Sequence, residues 1–487
     1  MYGRRLNQRK FYMSARTGLF IILAVTLWRI VTLHFDTTDF FVDEAQYWFW
    51  SQNLDFGYYS KPPMIAWFIR AMTDIAGSTD IFWVRLCGPI VHAATAFLLM
   101  KLAKRVVGPE VEGWTGAIYV TMPAVALSSV FFSTDVVLLF FMTIGLWAYA
   151  GLTKKSSIGL ALLMGAAFGC SFLSKYAILF VVPGGLIALL FVPAARIAWR
   201  DFFISVVTAL IFASPNLWWN FTHDATTVRH TEDIAKWDQM KLDFAGAAEF
   251  FAAQFGVVGP IIFFAMLWAG WRMIRGRSGE TEKLLVWFSL PVVFLITLQA
   301  FVAKAEANWG VTAYVAGTVL AVTVLSRLWP KGLNISLIIG AGASILFPLA
   351  TIFAHELVLP GGNEIMKRYL GRAEISREAA ALAKQAGTAT IVTDNRDFVA
   401  DMFHTLRNEP VKIYARAPVD LPNSYYEQNF ALPAGSQEPV LFVSRNEFAC
   451  ATGTAELVKS WQPADGYYRG KTVYAYKMPG SCLDRQR

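Results

Sequence analysis

Long apolar runs alternate with short polar connectors through most of this chain. Eleven runs, at about 17–35, 81–103, 114–132, 134–152, 158–174, 176–193, 201–219, 248–271, 284–303, 308–326 and 333–355, approach or reach the ~17–25 residues that cross a bilayer as a helix. A buried helix of a soluble protein can imitate one such run, but not eleven in succession. The pattern predicts a polytopic α-helical membrane protein with about 11 transmembrane helices. The segment 62–76, PPMIAWFIRAMTDIA, is too short to span comfortably. Its Arg70 and Asp74 suit a helix lying in the interface. The basic stretch MYGRRLNQRKFYMSAR precedes the first run, and Trp28, Arg29 and His34 follow its core without a small-residue cleavage site. The first run therefore reads as a retained helix rather than a cleaved signal.

After about Glu356 the period changes. β-rich runs at 388–394, 411–416, 439–445 and 471–478 alternate with helical stretches near 374–386 and 396–407, the pattern of a small α/β domain. The expected organisation is a transmembrane catalytic domain over 1–355, with interfacial helices in its first outer loop (36–79), and a soluble domain over 356–487. No internal repeat and no paired broken helices of the secondary-transporter kind are evident.

Composition agrees. Hydrophobic residues make up 55% of the 487 and charged residues only 16%, against about 25% charge in soluble proteins. The net charge of +8 forms no single patch, so nucleic acid is not an expected partner. The basic residues instead orient the chain. With the N-terminus inside, the inner loops hold Arg4, Arg5, Arg9, Lys10, Arg16, Lys101, Lys104, Arg105, Lys154, Lys155, Arg196, Arg200, Arg272, Arg275, Arg277, Lys283, Arg327 and Lys331. The outer loops hold fewer. An odd number of spans places the C-terminal domain outside, in the periplasm if the membrane is a bacterial inner membrane. That compartment permits disulfides. Cys450 and Cys482 can be bridged there or remain free thiols, whereas Cys87 and Cys170 lie in apolar runs as packing residues.

This topology serves as a filter for chemistry, because ionisable residues at the membrane edge are costly. Asp43 and Glu44 lie in the first outer loop, in FFVDEAQYWFW, and Lys61 ends that loop. Asp135 stands at the outer turn between the third and fourth runs, Lys175 at the next, and His223 opens the long outer loop. Lys304, Glu306 and Asn308 form a further outer turn. Asp43 could instead cap its helix, Asp135 could cap the fourth run, Lys61 could snorkel, and the aromatics near position 50 could form an interfacial belt. Carboxylates with lysines on one face suit an acceptor hydroxyl held beside a phosphate. A carboxylate takes the proton and lysine stabilises charge on the leaving phosphate. No P-loop or Rossmann glycine pattern is present, so a phosphorylated lipid is the expected donor.

The stretch FVDEAQYWFWSQNLDFGYYSKPPMIAWFIR resembles the first outer loop of GT-C glycosyltransferases. The similar group contains protein O-mannosyltransferases, lipid A aminoarabinose transferases and rhizobial galacturonosyltransferases. Ser133-Thr134-Asp135, Ser174-Lys175-Tyr176, Pro215-Asn216-Leu217-Trp218-Trp219-Asn220 and Glu306-Ala307-Asn308-Trp309 carry the likeness over about residues 17–330. The resemblance implies inverting transfer from a polyprenyl-phosphate sugar to lipid A, lipopolysaccharide core or another envelope glycan. It makes Asp43 the catalytic carboxylate, with Glu44 and Asp135 beside it. Lys61, Lys175 and Lys304 become donor-phosphate contacts, and Tyr58, Tyr59, His223, Glu306 and Asn308 substrate contacts. Aminoarabinose transferases carry an acidic residue before the Lys-Pro lysine that can join a metal site. Ser60 stands there here, so no metal or other cofactor is expected. The competing readings are a protein O-mannosyltransferase and a flippase for lipid-linked sugars.

Overall fold

The computed structural model describes residues 12–236, 241–451 and 453–484. It divides into two compact units. One comprises the chain up to His34, Ser60–Phe68 and Arg85–Pro348; the other comprises Phe35–Tyr59, Ile69–Val84 and the chain from Leu349 onward. Most of the first outer loop, Phe35–Tyr59 and the residues from Ile69, thus groups with the C-terminal residues, whereas Ser60–Phe68, which carries Lys61, groups with the apolar helices.

The first unit is helical. Among the described residues, seven helical stretches are long and apolar enough to cross a membrane: Ala15–Leu33, Ile81–Val106, Thr134–Leu152, Trp199–Thr222, Glu280–Val302, Ala307–Leu328 and Pro330–Ile352. The chain is a multi-pass membrane protein. The other four predicted runs differ from straight spans for local reasons. The run at 248–271 is a bent pair, Phe244–Val257 and Pro260–Ile274, with an angle of 116°. Gly259 at the bend takes φ +94°, a conformation that side chains disfavour, and Pro260 has no N–H to continue the helix. The run at 114–132 stops at Thr121 and restarts at Pro123. Lys175 is extended and divides Ile158–Ser174 from Tyr176–Val181 and Val182–Phe191.

Packing in this unit uses small residues, as apolar helices without a hydrophobic driving force require. A Cβ on Gly18 would lie 2.7 Å from the Gly113 Cα, so the two helices cross almost backbone to backbone. A charge is buried further along the same helix. Arg29 donates to Ser129 Oγ (2.9 Å), to Ser344 Oγ (3.1 Å) and to the Val120 carbonyl (2.7 Å). Val120 sits in the last turn before Pro123, where helix carbonyls lack their own donors.

The second unit holds a five-stranded sheet with β1 (Thr390–Thr393), β2 (Lys412–Ala415), β3 (Pro439–Ser444), β4 (Glu456–Trp461) and β5 (Val473–Pro479). The strand order is β2-β1-β3-β5-β4. β1 runs parallel to β2 and β3, and β5 antiparallel to β3 and β4. Sequence pattern anticipates every strand but β4. That strand is an edge, largely exposed on both faces, so no burial imposes alternation on it. Cys450 and Cys482 are joined by a disulfide, while Cys87 and Cys170 are free.

Helix Arg396–Thr405 follows β1 and packs on the first-loop helix Val42–Gln52. Phe49 meets Phe403 with ring centroids 4.2 Å apart, and Trp48 meets His404 edge-on at 4.6 Å. Trp48 and Trp50 are buried, so these aromatics form a protein core and not an exposed belt.

Asp401 on Arg396–Thr405 is fully buried. Burial first, and the Asp39 carboxylate second, push it up to about 6, against the Ser376 and Thr405 hydroxyls and Arg372. Both hydroxyls donate to one oxygen, Oδ1 (2.6 and 2.8 Å), which leaves Oδ2 to carry a proton. A buried acid whose pKa is raised in the folded state contributes full stability below its ordinary value near 4, and that stability is lost as pH rises through about 6. Asp401→Asn keeps an acceptor at Oδ1 and removes the charge. Its melting temperature is expected to exceed that of the wild type at pH 8 by the equivalent of about 2–3 kcal/mol, and to match it below pH 4. Thermal unfolding of the two proteins across pH checks this.

Candidate active site

Both units carry polar clusters built from predicted residues. In the first unit, Asp135 lies in the first turn of Thr134–Leu152. Ser133 precedes it as N-cap but makes no side-chain capping bond. Asp135 Oδ1 accepts from Lys175 Nζ at 2.7 Å and Oδ2 from Asn308 Nδ2 at 2.8 Å. The Asp135 and Lys175 side chains are only 10% and 15% exposed. Three turns, far apart in sequence, therefore converge on one carboxylate. Beside Lys175, the Tyr176 hydroxyl donates to Asn216 Oδ1 (2.8 Å) and accepts from Asn220 Nδ2 (3.1 Å). Asn216 and Asn220 are buried. An amide pair one helical turn apart, facing a tyrosine, fixes the chain where Lys175 interrupts its helix.

Lys304 and Glu306 pair with each other at 2.6 Å and are half exposed. They line a cavity of about 430 Å³ together with Lys236, Lys241, Asp243 and Glu249. Lys61 is half-buried in the same unit, directly after buried Ser60. His223 joins none of these groups. It stacks on Trp219 of its own helix (4.2 Å, 6°), and its Nδ1 lies 2.9 Å from the Trp219 carbonyl.

In the second unit, Asp43 stands in the first turn of Val42–Gln52 and its Oδ1 accepts from Arg396 Nη2 at 2.6 Å. The same guanidinium reaches Gln46 Oε1 from Nη2 (3.1 Å) and Nε (3.4 Å). Glu44 points elsewhere. It is buried, and its carboxylate accepts the Phe41 N–H at 3.1 Å, closing the start of its own helix. Tyr58 stacks on Trp50 (4.7 Å, 4°) and receives the Asp55 N–H at 3.0 Å. Tyr59 donates to the Pro422 carbonyl at 2.8 Å. Both tyrosines brace the loop.

Sequence reading omitted Arg396 and Gln46. Arg396 sits in TDNRDF, an ordinary strand-to-helix turn, and is separated from Asp43 by 353 positions. No local pattern links the two. Among the described residues, no group of three or more His, Cys, Asp or Glu side chains could hold a metal ion.

The comparisons with known proteins agree among themselves. A family model described as dolichyl-phosphate-mannose-protein mannosyltransferase matches residues 60–219. The lipid A galacturonosyltransferase RgtD of Rhizobium johnstonii is 67% identical over 471 residues, covering 97% of this chain and 100% of that protein. ArnT from Cupriavidus metallidurans, in its apo crystal structure, is 15% identical with a TM-score of 0.66, over 97% of this chain and 100% of that one. Its crystal structure bound to undecaprenyl phosphate gives the same identity and TM-score over 96% and 99%. The likeness to ArnT shows that the two share the helical, GT-C-like fold.

Proposed function

The chain belongs to the family of the lipid A galacturonosyltransferase RgtD, and from that premise we propose that it moves one galacturonic acid from a polyprenyl-phosphate donor to lipid A. The observation that carries this reading is 67% identity along essentially the whole length of both chains. The acceptor hydroxyl attacks the anomeric carbon while Asp43 takes its proton. The bond from that carbon to the phosphate oxygen breaks, configuration inverts, and polyprenyl phosphate leaves. Lys61, Lys175 and Lys304 stabilise the phosphate. Asp135 and Asn308 hold Lys175. Tyr58, Tyr59 and Glu44 act by keeping the first loop in shape.

The proposed topology has eleven crossings, with the four short, bent or broken runs completing the seven long ones. The N-terminus is cytoplasmic and the C-terminal domain periplasmic, in a bacterial inner membrane. The excess of Lys and Arg in alternate loops supports this orientation, and the Cys450–Cys482 bridge suits an oxidising compartment.

The test is to reconstitute the purified protein in vesicles with lipid A and labelled polyprenyl-phosphate galacturonate. Label is expected on lipid A, with one polyprenyl phosphate freed per sugar. Donor that crosses the bilayer unchanged would instead mark a flippase. Label found only on Ser or Thr hydroxyls of exported chains would mark a protein glycosyltransferase.

A further inference from the structure

The fate of an acidic side chain in the first turn of a helix is set by what meets it. Left alone, the half-exposed Asp43 would sample several rotamers or turn back to its own backbone N–H groups. Here an arginine meets it. Arg396 Nη2 holds Oδ1 at 2.6 Å, and the same guanidinium bonds Gln46, three residues further along the same helix. A planar fork grips two positions on one helical face in a fixed geometry; a lysine ammonium has three donors but no such fork.

Arg396 is itself held. It is the first residue of Arg396–Thr405, whose start is capped by Asn395 accepting the Asp397 N–H at 2.9 Å. The contacts of Phe49 with Phe403 and Trp48 with His404 fix that helix against the one carrying Asp43. Gln46 is buried. Burial disfavours the charged guanidinium, and Asp43 outweighs that effect to raise its affinity for the proton.

We propose that Arg396 is a positioning residue for the transfer reaction, holding the Asp43 carboxylate ionised and aimed. The inference rests on the reading of Asp43 as the base. It makes the C-terminal residues a working part of the catalytic machinery and not an appended module.

Transfer kinetics of the full-length protein against pH test it. In Arg396→Gln, kcat is expected to fall about 10–100-fold with KM little changed. The acid limb of the pH profile moves up by about one unit, because a carboxylate without its cation protonates more readily. Arg396→Lys keeps the limb near its wild-type position, since the charge survives, but recovers only part of kcat. Added guanidinium restores part of the rate in Arg396→Ala. In an Asp43→Asn background, Arg396→Gln causes little further loss, because it acts through a group already disabled. An unshifted acid limb together with a full further loss in that background overturns the proposal, as does wild-type kinetics in Arg396→Gln. A fully active Asp43→Asn enzyme overturns the underlying reading of Asp43 instead. If Arg396→Gln does not fold, Arg396→Lys decides through its split between kcat and acid limb, and wild-type kcat in that variant counts against the fork.

Discussion

Sugar transfer by the Asp43→Asn variant is expected to fall about 10²–10⁴-fold, the range typical of removing a general base. The substitution is chosen for what it preserves. Asparagine has the same size and keeps an oxygen that can accept from Arg396, 2.6 Å away in the wild type. The first-loop helix also retains its independent closure, because Glu44, not Asp43, accepts the Phe41 N–H. The aromatic contacts of Trp48 and Phe49 do not involve position 43. Folding is therefore spared and basicity is lost. The measurement is initial rate from a labelled lipid donor in membranes, with KM determined alongside. The loss is expected in kcat, since the group acts on the proton that moves during transfer. Near-wild-type kcat would remove Asp43 from the reaction.

The second large effect is expected at Lys175. Lys175→Met preserves side-chain length and leaves the Asp135 carboxylate, only 10% exposed, with Asn308 but without its cation. Breaking one half of a buried ion pair costs about 3–5 kcal/mol, so the variant is expected to melt well below the wild type in detergent. Adding Asp135→Asn removes the stranded charge and is expected to return most of that stability. Transfer should not return with it. If Lys175 stabilises the leaving phosphate, the double variant stays at least ~10²-fold below wild type. Recovery of both melting temperature and rate would reduce the pair to a structural clamp.

The two variants probe different units of the fold, and they differ in how far sequence alone anticipated them. Asp135, Lys175 and Asn308 stand out because each is polar at the end of an apolar run, and loop counting places all three on one side. Their convergence through hydrogen bonds of 2.7 and 2.8 Å sharpens an expectation already in hand. His223 shows the limit of that filter. Loop counting assigns it to the same side, yet its ring stacks on Trp219 of its own helix. Glu44 shows another. Adjacent acids look equivalent in a string of letters, but consecutive helical residues point about 100° apart, so one meets Arg396 and the other turns back to the backbone. The helix breaks at Pro123 and Gly259-Pro260 were visible as residues. Their consequence, runs that do not cross straight, depends on how neighbouring helices pack.

Sequence by itself determined the membrane class, the charge asymmetry that suggests orientation, the α/β character of the C-terminal residues and the candidates Asp43, Lys61, Asp135 and Lys175. These follow from local properties: the length of an apolar run, the period of alternation, the sign of a short loop. Tertiary structure alone decided that Phe35–Tyr59 of the first outer loop joins the C-terminal unit while Ser60–Phe68 does not, and that Asp43 is held by an arginine 353 positions away. The physical reason is that such a contact is selected by the packing of two helix faces. The aromatic contacts of Phe49 and Trp48 set that packing, and they leave no periodic trace around either charged residue.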